Sequence, residues 1–209
     1  NTIGFNLGAT GNDYAEAIAV DPLGRTVVGG TASDGTDIYF AVARFTVDGS
    51  YDGNWSGDGR QTVLVDLGGV GTLSFGGMAV DRFSRVVLAG VAPAATGSRL
   101  VVVRLTSSGA LDPTFGGGDG VADFAYTATN DIVSVVDVVT LPPPSDRIAI
   151  LGDYDPAGVD PSDSFLVVLT PTGRSLLAAD VNARKAMLNR QLRTLETFGF
   201  VVRILGEAA

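Results

Sequence analysis

The feature that most constrains this chain is its likeness to itself at an offset of 60 residues. Ala17-Ile18-Ala19-Val20-Asp21 is matched by Gly77-Met78-Ala79-Val80-Asp81. Arg25 matches Arg85, and Val27-Val28-Gly29-Gly30 matches Val87-Leu88-Ala89-Gly90. Ala43-Arg44-Phe45-Thr46 matches Val103-Arg104-Leu105-Thr106. Gly49, Asp52, Trp55 and Gly57 match Gly109, Asp112, Phe115 and Gly117. A third copy follows with insertions. Arg147-Ile148-Ala149-Ile150-Leu151-Gly152 repeats the run ending in Gly, and Leu166-Val167-Val168-Leu169-Thr170 repeats the run ending in Thr, with Gly173 after it. A fixed period of this length marks units that bury their faces against their neighbours.

Each copy reads as four short strands rich in Val, Ile, Leu and Phe, separated by Gly, Asp, Asn or Pro. In the first copy they fall at 2–7, 15–20, 26–31 and 38–46. In the second they fall at 61–67, 74–80, 86–91 and 99–106, and in the third at 121–126, 132–140, 147–151 and 164–170. Several are apolar throughout instead of alternating, which predicts sheets covered on both faces. The 28 glycines and 9 prolines suit many turns and short strands. Asp outnumbers Glu, which occurs only at Glu16, Glu196 and Glu207; the short Asp carboxylate favours turns.

Four strands per repeat is the plan of a β-propeller blade. The stretch Asp48-Gly49-Ser50-Tyr51-Asp52-Gly53-Asn54-Trp55-Ser56-Gly57-Asp58-Gly59 looks like a turn followed by Asp-x-x-Phe-Gly and Gly-Asp-Gly. Gly109-Ala110-Leu111-Asp112-Pro113-Thr114-Phe115-Gly116-Gly117-Gly118-Asp119-Gly120 fits that pattern more closely. With Ala-Val-Asp-x-x-x-Arg upstream, these motifs resemble the bacterial delta-60 repeat, a β-propeller-like family. The resemblance implies propeller-like blades in an exported or surface protein and brings no catalytic residues. The fold expected is therefore all-β: a propeller-like array of three four-stranded repeats over 1–178 (about 1–60, 61–120 and 121–178), then a tail over 179–209 with a helix and a short strand.

Three blades pose a closure problem, since propellers use about 4–8. An open array exposes apolar faces at both ends. Three answers are open: a longer chain, two chains pairing into a six-bladed ring, or other elements capping the ends.

The tail differs in character. Asp180 can cap a helix over about 181–197, on which Leu188, Leu192 and Leu195 share a face with Val181. Arg190 and Arg193, with Arg184 and Lys185, make the segment basic. From Asp180 onward five basic residues face three acids, a net +2, against −11 for the remainder. The helix either packs on the acidic body or docks on another subunit through Leu188, Arg190, Leu192, Arg193 and Leu195, and residues 200–205 read as a strand able to extend a sheet edge.

Composition excludes several chemistries. With no cysteine and no histidine, disulfides, thiolate nucleophiles, imidazole bases and Cys/His zinc sites are impossible. A net charge of −9 disfavours nucleic acid and leaves a membrane role only indirect. Asp48, Ser50, Asp52 and Asn54 have the oxygen spacing of a calcium loop with Gly53 at its sixth position, but Gly59 stands where the bidentate Glu belongs. Turn formation explains the same residues. No cofactor other than calcium is suggested. Arg25, Arg85 and Arg147 could converge on a ligand, yet Asp21 and Asp81 lie within reach as partners; Arg44 and Arg104 invite the same reading. Trp55 and Phe115 read as packing anchors before sugar platforms. Asp137, inside an apolar strand, either points to solvent on an edge or is a buried acid. Gly116-Gly117-Gly118-Asp119-Gly120 lacks the Lys and helix of a phosphate loop.

The expectation is a non-catalytic structural or interaction subunit of an extracytoplasmic assembly, docked through its tail to other subunits or to itself. A calcium- or glycan-binding module is the alternative, and a carboxylate-dependent hydrolase the more distant one.

Overall fold

The computed structural model describes residues 12–125, 132–155, 163–175 and 202–203. Every regular element among them is a strand. The first sheet contains β1 (Tyr14–Val20), β2 (Thr26–Ser33), β3 (Ile38–Phe45) and β4 (Arg60–Val63), hydrogen-bonded in that order. The second contains β5 (Ser74–Val80), β6 (Val86–Pro93), β7 (Ser98–Leu105) and β8 (Val121–Ala125). The third contains β9 (Ile132–Thr140), β10 (Ile148–Asp155), β11 (Asp163–Leu169) and β12 (Val202–Arg203). The described residues thus form an all-β, propeller-like array, as the repeat predicts.

The sheets and the sequence repeat are out of phase by one strand. β4 and β8 open the second and third sequence copies, yet they pair antiparallel with β3 and β7 of the preceding sheet. In the third sheet the fourth place is taken from the tail: β12 lies parallel to β11, with Ser164 opposite Val202 and Phe165 opposite Arg203. The terminal strand expected over 200–205 is described at these two residues, on this chain's own sheet. The strand expected over 2–7, the helix over 181–197 and its docking residues Leu188, Arg190, Leu192, Arg193 and Leu195 lie outside the described residues.

Two cores hold the array together. Phe40, Val42, Trp55 and Val27 of the first sheet meet Met78, Leu88, Val101 and Val103 of the second. Val87, Ala89, Val102 and Phe115 of the second meet Val138, Ile148, Ile150 and Phe165 of the third. β6 is therefore buried almost along its whole length, which explains its unbroken apolar run.

The same irregularity recurs in all three sheets. A bulge falls at Glu16 in β1, at Gly76 in β5 and at Val136 in β9, each opposite a residue pair ending in Gly30, Gly90 or Gly152. Those glycines are required by close approach. A Cβ on them would lie 1.9 Å from the Tyr14 carbonyl oxygen, 2.1 Å from that of Ser74 and 2.2 Å from that of Ser134.

Candidate functional site

The polar residues that recur in the repeat converge at the junctions between sheets. After β1 the chain turns through Asp21. One carboxylate oxygen, Oδ1, accepts the N–H groups of Leu23 at 2.9 Å and Arg25 at 3.0 Å, fixing the turn. The other, Oδ2, accepts Arg25 Nε at 2.8 Å. Burial pushes this carboxyl up, but the hydrogen bonds from the Arg25 side chain and from the backbone of Arg25 and Leu23 outweigh it, so Asp21 sits below its ordinary value. After β5 the arrangement repeats: Asp81 Oδ1 accepts Phe83 and Arg85 N–H groups at 2.8 and 2.9 Å, and Oδ2 accepts Arg85 Nε at 2.6 Å.

A second ion pair stands beside the first. Arg44, at the end of β3, is buried and gives Nε to Asp52 Oδ2 at 3.0 Å, with its Nη2 at 2.9 Å. Arg25 approaches the same oxygen at 3.5 Å. Arg104 is buried equally and gives Nε to Asp112 Oδ2 at 2.8 Å, with Arg85 at 3.9 Å. Burial lowers the pKa of both Arg44 and Arg104, the neighbouring Arg25 or Arg85 adds to that, and the Asp partners oppose it. Both stay charged at neutral pH. Burial raises the Asp112 carboxyl, while Thr114 and Arg104 bring it below its ordinary value.

Each buried arginine then reaches across to the next repeat. Arg44 Nη1 donates to the Ser107 carbonyl at 2.8 Å, and Arg104 Nη1 donates to the Pro171 carbonyl. Beneath each guanidinium lies an aromatic ring, Trp55 at 5.4 Å and Phe115 at 4.6 Å. These rings are fully buried and press against the following turn. A Cβ on Gly109 would stand 2.8 Å from Trp55, and one on Gly173 would stand 2.7 Å from Phe115. Ser56 N–H bonds the Ser108 carbonyl at 2.8 Å, and Gly116 N–H bonds that of Thr172 at 3.1 Å. Guanidinium, ring and backbone amide form one clasp, used twice.

Beside the second clasp is a cavity of about 210 Å³ bordered by Asp81, Arg82, Arg85, Arg104, Thr140 and Asp146. Its arginines are neutralised. Arg82 makes two bonds of 2.7 Å to Asp146, Arg85 pairs with Asp81, and Arg104 pairs with Asp112.

The expected pairing of Arg25 with Asp21 and Arg85 with Asp81 is what the structure holds, and Arg44 and Arg104 each bind both an Asp and a loop carbonyl. Trp55 and Phe115 are inter-sheet anchors, so neither ring is free to stack on a sugar. Asp137 is exposed on edge strand β9 and accepts the Val138 N–H at 2.8 Å. The residues of the calcium reading lie in two successive turns. Asp48 holds its own turn, accepting the Thr46 hydroxyl and the Ser50 N–H at 3.2 Å. Asp52 turns inward to the arginines, and its Oδ1 accepts the Asn54 N–H at 3.1 Å. The carboxylates of Asp48 and Asp52 are thus engaged separately, one in its own turn and the other with the buried arginines. Among the described residues no group of three or more acidic side chains is placed to hold a metal ion.

The sequence reading missed the partner role of Asp52 and Asp112 and the acceptors Ser107 and Pro171. A signal was present. Arg44 and Asp52 are spaced as Arg104 and Asp112 are, and the third copy loses both together, having Val168 and Leu176 at those places.

Repeated four-stranded sheets, antiparallel except at β12, stacked face to face and clasped through their connecting turns, define a β-propeller-like repeat protein. Residues 85–115 match the model of a family described as a domain of unknown function (DUF5122) beta-propeller. That stretch runs from Arg85 through β6 and β7 to Phe115, and so contains the guanidinium and the ring of the second clasp. No curated protein matches the chain.

Proposed function

We propose that this chain is a non-catalytic structural and interaction module of the delta-60 repeat type, acting in an extracytoplasmic assembly. The observation that carries the reading is the disposition of its polar groups. The buried charged residues of both clasps are paired within the chain, whereas large apolar residues stand exposed on the outer faces of the end sheets. Charges satisfied in this way hold sheets together; open apolar faces call for a partner. The placement outside the cytoplasm rests on the resemblance to the delta-60 repeat. Docking through the tail rests on the basic, amphipathic pattern of Leu188, Arg190, Leu192, Arg193 and Leu195.

The test is the native mass and composition of the particle that contains the full chain. A particle larger than one chain is expected. Replacing Leu188, Leu192 and Leu195 by Asp should release the protein from it while leaving β12 and the circular dichroism unchanged. A variant that stays bound sinks the tail's role. Turnover by the purified protein across a glycoside panel sinks the non-catalytic reading.

A further inference from the structure

We infer that the two outer faces of the array are the two halves of one contact, and that a second copy of this chain supplies each missing half, closing a ring of six sheets. This deepens the interaction reading above and rests on it. The argument follows equivalent positions. Ile18, Met78 and Val138 occupy the same place after the bulge in β1, β5 and β9. Met78 points back into the core shared with the first sheet, and Val138 into the core shared with the second. Their exposures are 9% and 2%, whereas Ile18, with no sheet before it among the described residues, is 73% exposed. The neighbouring position points the other way. Ala19 packs toward the second sheet and Ala79 toward the third, and Val139, with no sheet after it among the described residues, is 45% exposed. Leu151 lies on that same outer face, where Gly29 and Ala89 face the next sheet.

The contact that Ile18 lacks is therefore the one that Val139 lacks, seen from opposite sides. One chain carries both halves. A second copy related by a two-fold axis meets both at once and leaves no face open. Six sheets fall within the range of about 4–8 blades that close a propeller. The clasp positions agree. Val168 stands where Arg44 and Arg104 donate, so the third sheet lacks the guanidinium that reaches across a junction in the other two. On the receiving side Val47 stands at the place of Ser107 and Pro171, which accept through their main-chain carbonyls, and it is 75% exposed. Apolar residues thus occupy both sides of the open junction. Without a clasp, that junction separates by dilution while those inside the chain hold.

The test is sedimentation equilibrium of the full chain over a wide concentration range, with Ile18→Arg on one face and Val139→Arg on the other. Both sites are exposed, and unchanged circular dichroism and melting establish that each variant folds. Wild type should reach twice the mass of the 21.4 kDa chain. Each variant alone should associate at least about tenfold more weakly, as when a charge enters an apolar contact. An equimolar mixture of the two should recover a heterodimer, because one junction in it is intact. Wild-type association by Val139→Arg means pairing through two first faces and overturns the inference. Monomeric wild type at every concentration overturns it too. If that monomer still enters a larger particle, the interaction reading survives; if it enters none, both fall.

Discussion

The first two copies and the third solve the same packing problem with different chemistry. In the first two, an Asp-fixed turn, two arginines and a second Asp form a chain of charge that ends on a carbonyl of the next repeat. In the third, Leu141 stands at the first Asp position and Val168 at the buried Arg position. Yet β9, β10 and β11 pair in the same order, and Leu141 N–H still bonds the Arg147 carbonyl at 2.8 Å, as Asp21 bonds Arg25 and Asp81 bonds Arg85. The sheet is thus specified by apolar pattern, bulge and turn. The charge network specifies the join to whatever follows.

The largest way to break this contrast is to remove a buried guanidinium. Arg104→Ala leaves Asp112 buried without its main partner and frees the Pro171 carbonyl. Chemical denaturation should report a loss of about 3–5 kcal/mol, the cost of stranding one member of a buried pair. The mirror change Val168→Ala removes no charge and should cost well under half as much. A comparable value for both would mean that the clasp contributes nothing beyond packing.

A smaller effect separates filled from open turns. Gly109 and Gly49 both have left-handed backbone, with φ of 94° and 86°. A side chain at either position costs about 1–2 kcal/mol for that conformation alone. At Gly109 the new Cβ also strikes Trp55, whereas nothing lies within 4 Å of Gly49. Gly109→Ala should therefore destabilise by about 1–3 kcal/mol more, the range for overpacking. Equal melting temperatures for the two variants would remove the aromatic anchor from the argument.

The smallest effect is the pH dependence. Asp21 and Asp112 titrate below their ordinary value in the folded chain. Carboxyls depressed by folding stabilise above the unfolded pKa of 3.8, and that contribution disappears as pH falls through the folded value. Stability should thus decline as pH drops below about 4, the ordinary Asp value. Asp112→Asn should be less stable at neutral pH and show a flatter acid limb; an acid limb of unchanged slope would count against the assignment.

Much of this was legible in residue order. The offset of 60 located the strands, the turns and the anchors Trp55 and Phe115, because an aromatic that recurs at one position of the first two copies answers to the same neighbour. The exposed ends followed from counting units. Two features were hidden. The phase of the sheets was not visible, since strand pattern says nothing about which neighbour a strand pairs with. The inward turn of Asp52 was hidden by its setting among Asp48, Ser50 and Asn54, where spacing alone imitates a metal loop. The bonds from Arg44 to the Asp52 carboxylate lie beyond what spacing shows.

The one-strand offset between sequence copy and sheet reaches beyond stability. A stretch of sixty residues duplicated at its sequence boundary arrives holding the last strand of its predecessor's sheet and lacking the last strand of its own. Such units cannot be excised or shuffled without tearing two sheets, so growth by whole copies is self-locking. The final copy always inherits an unfinished edge, and here two residues from far along the tail, Val202 and Arg203, serve as its latch.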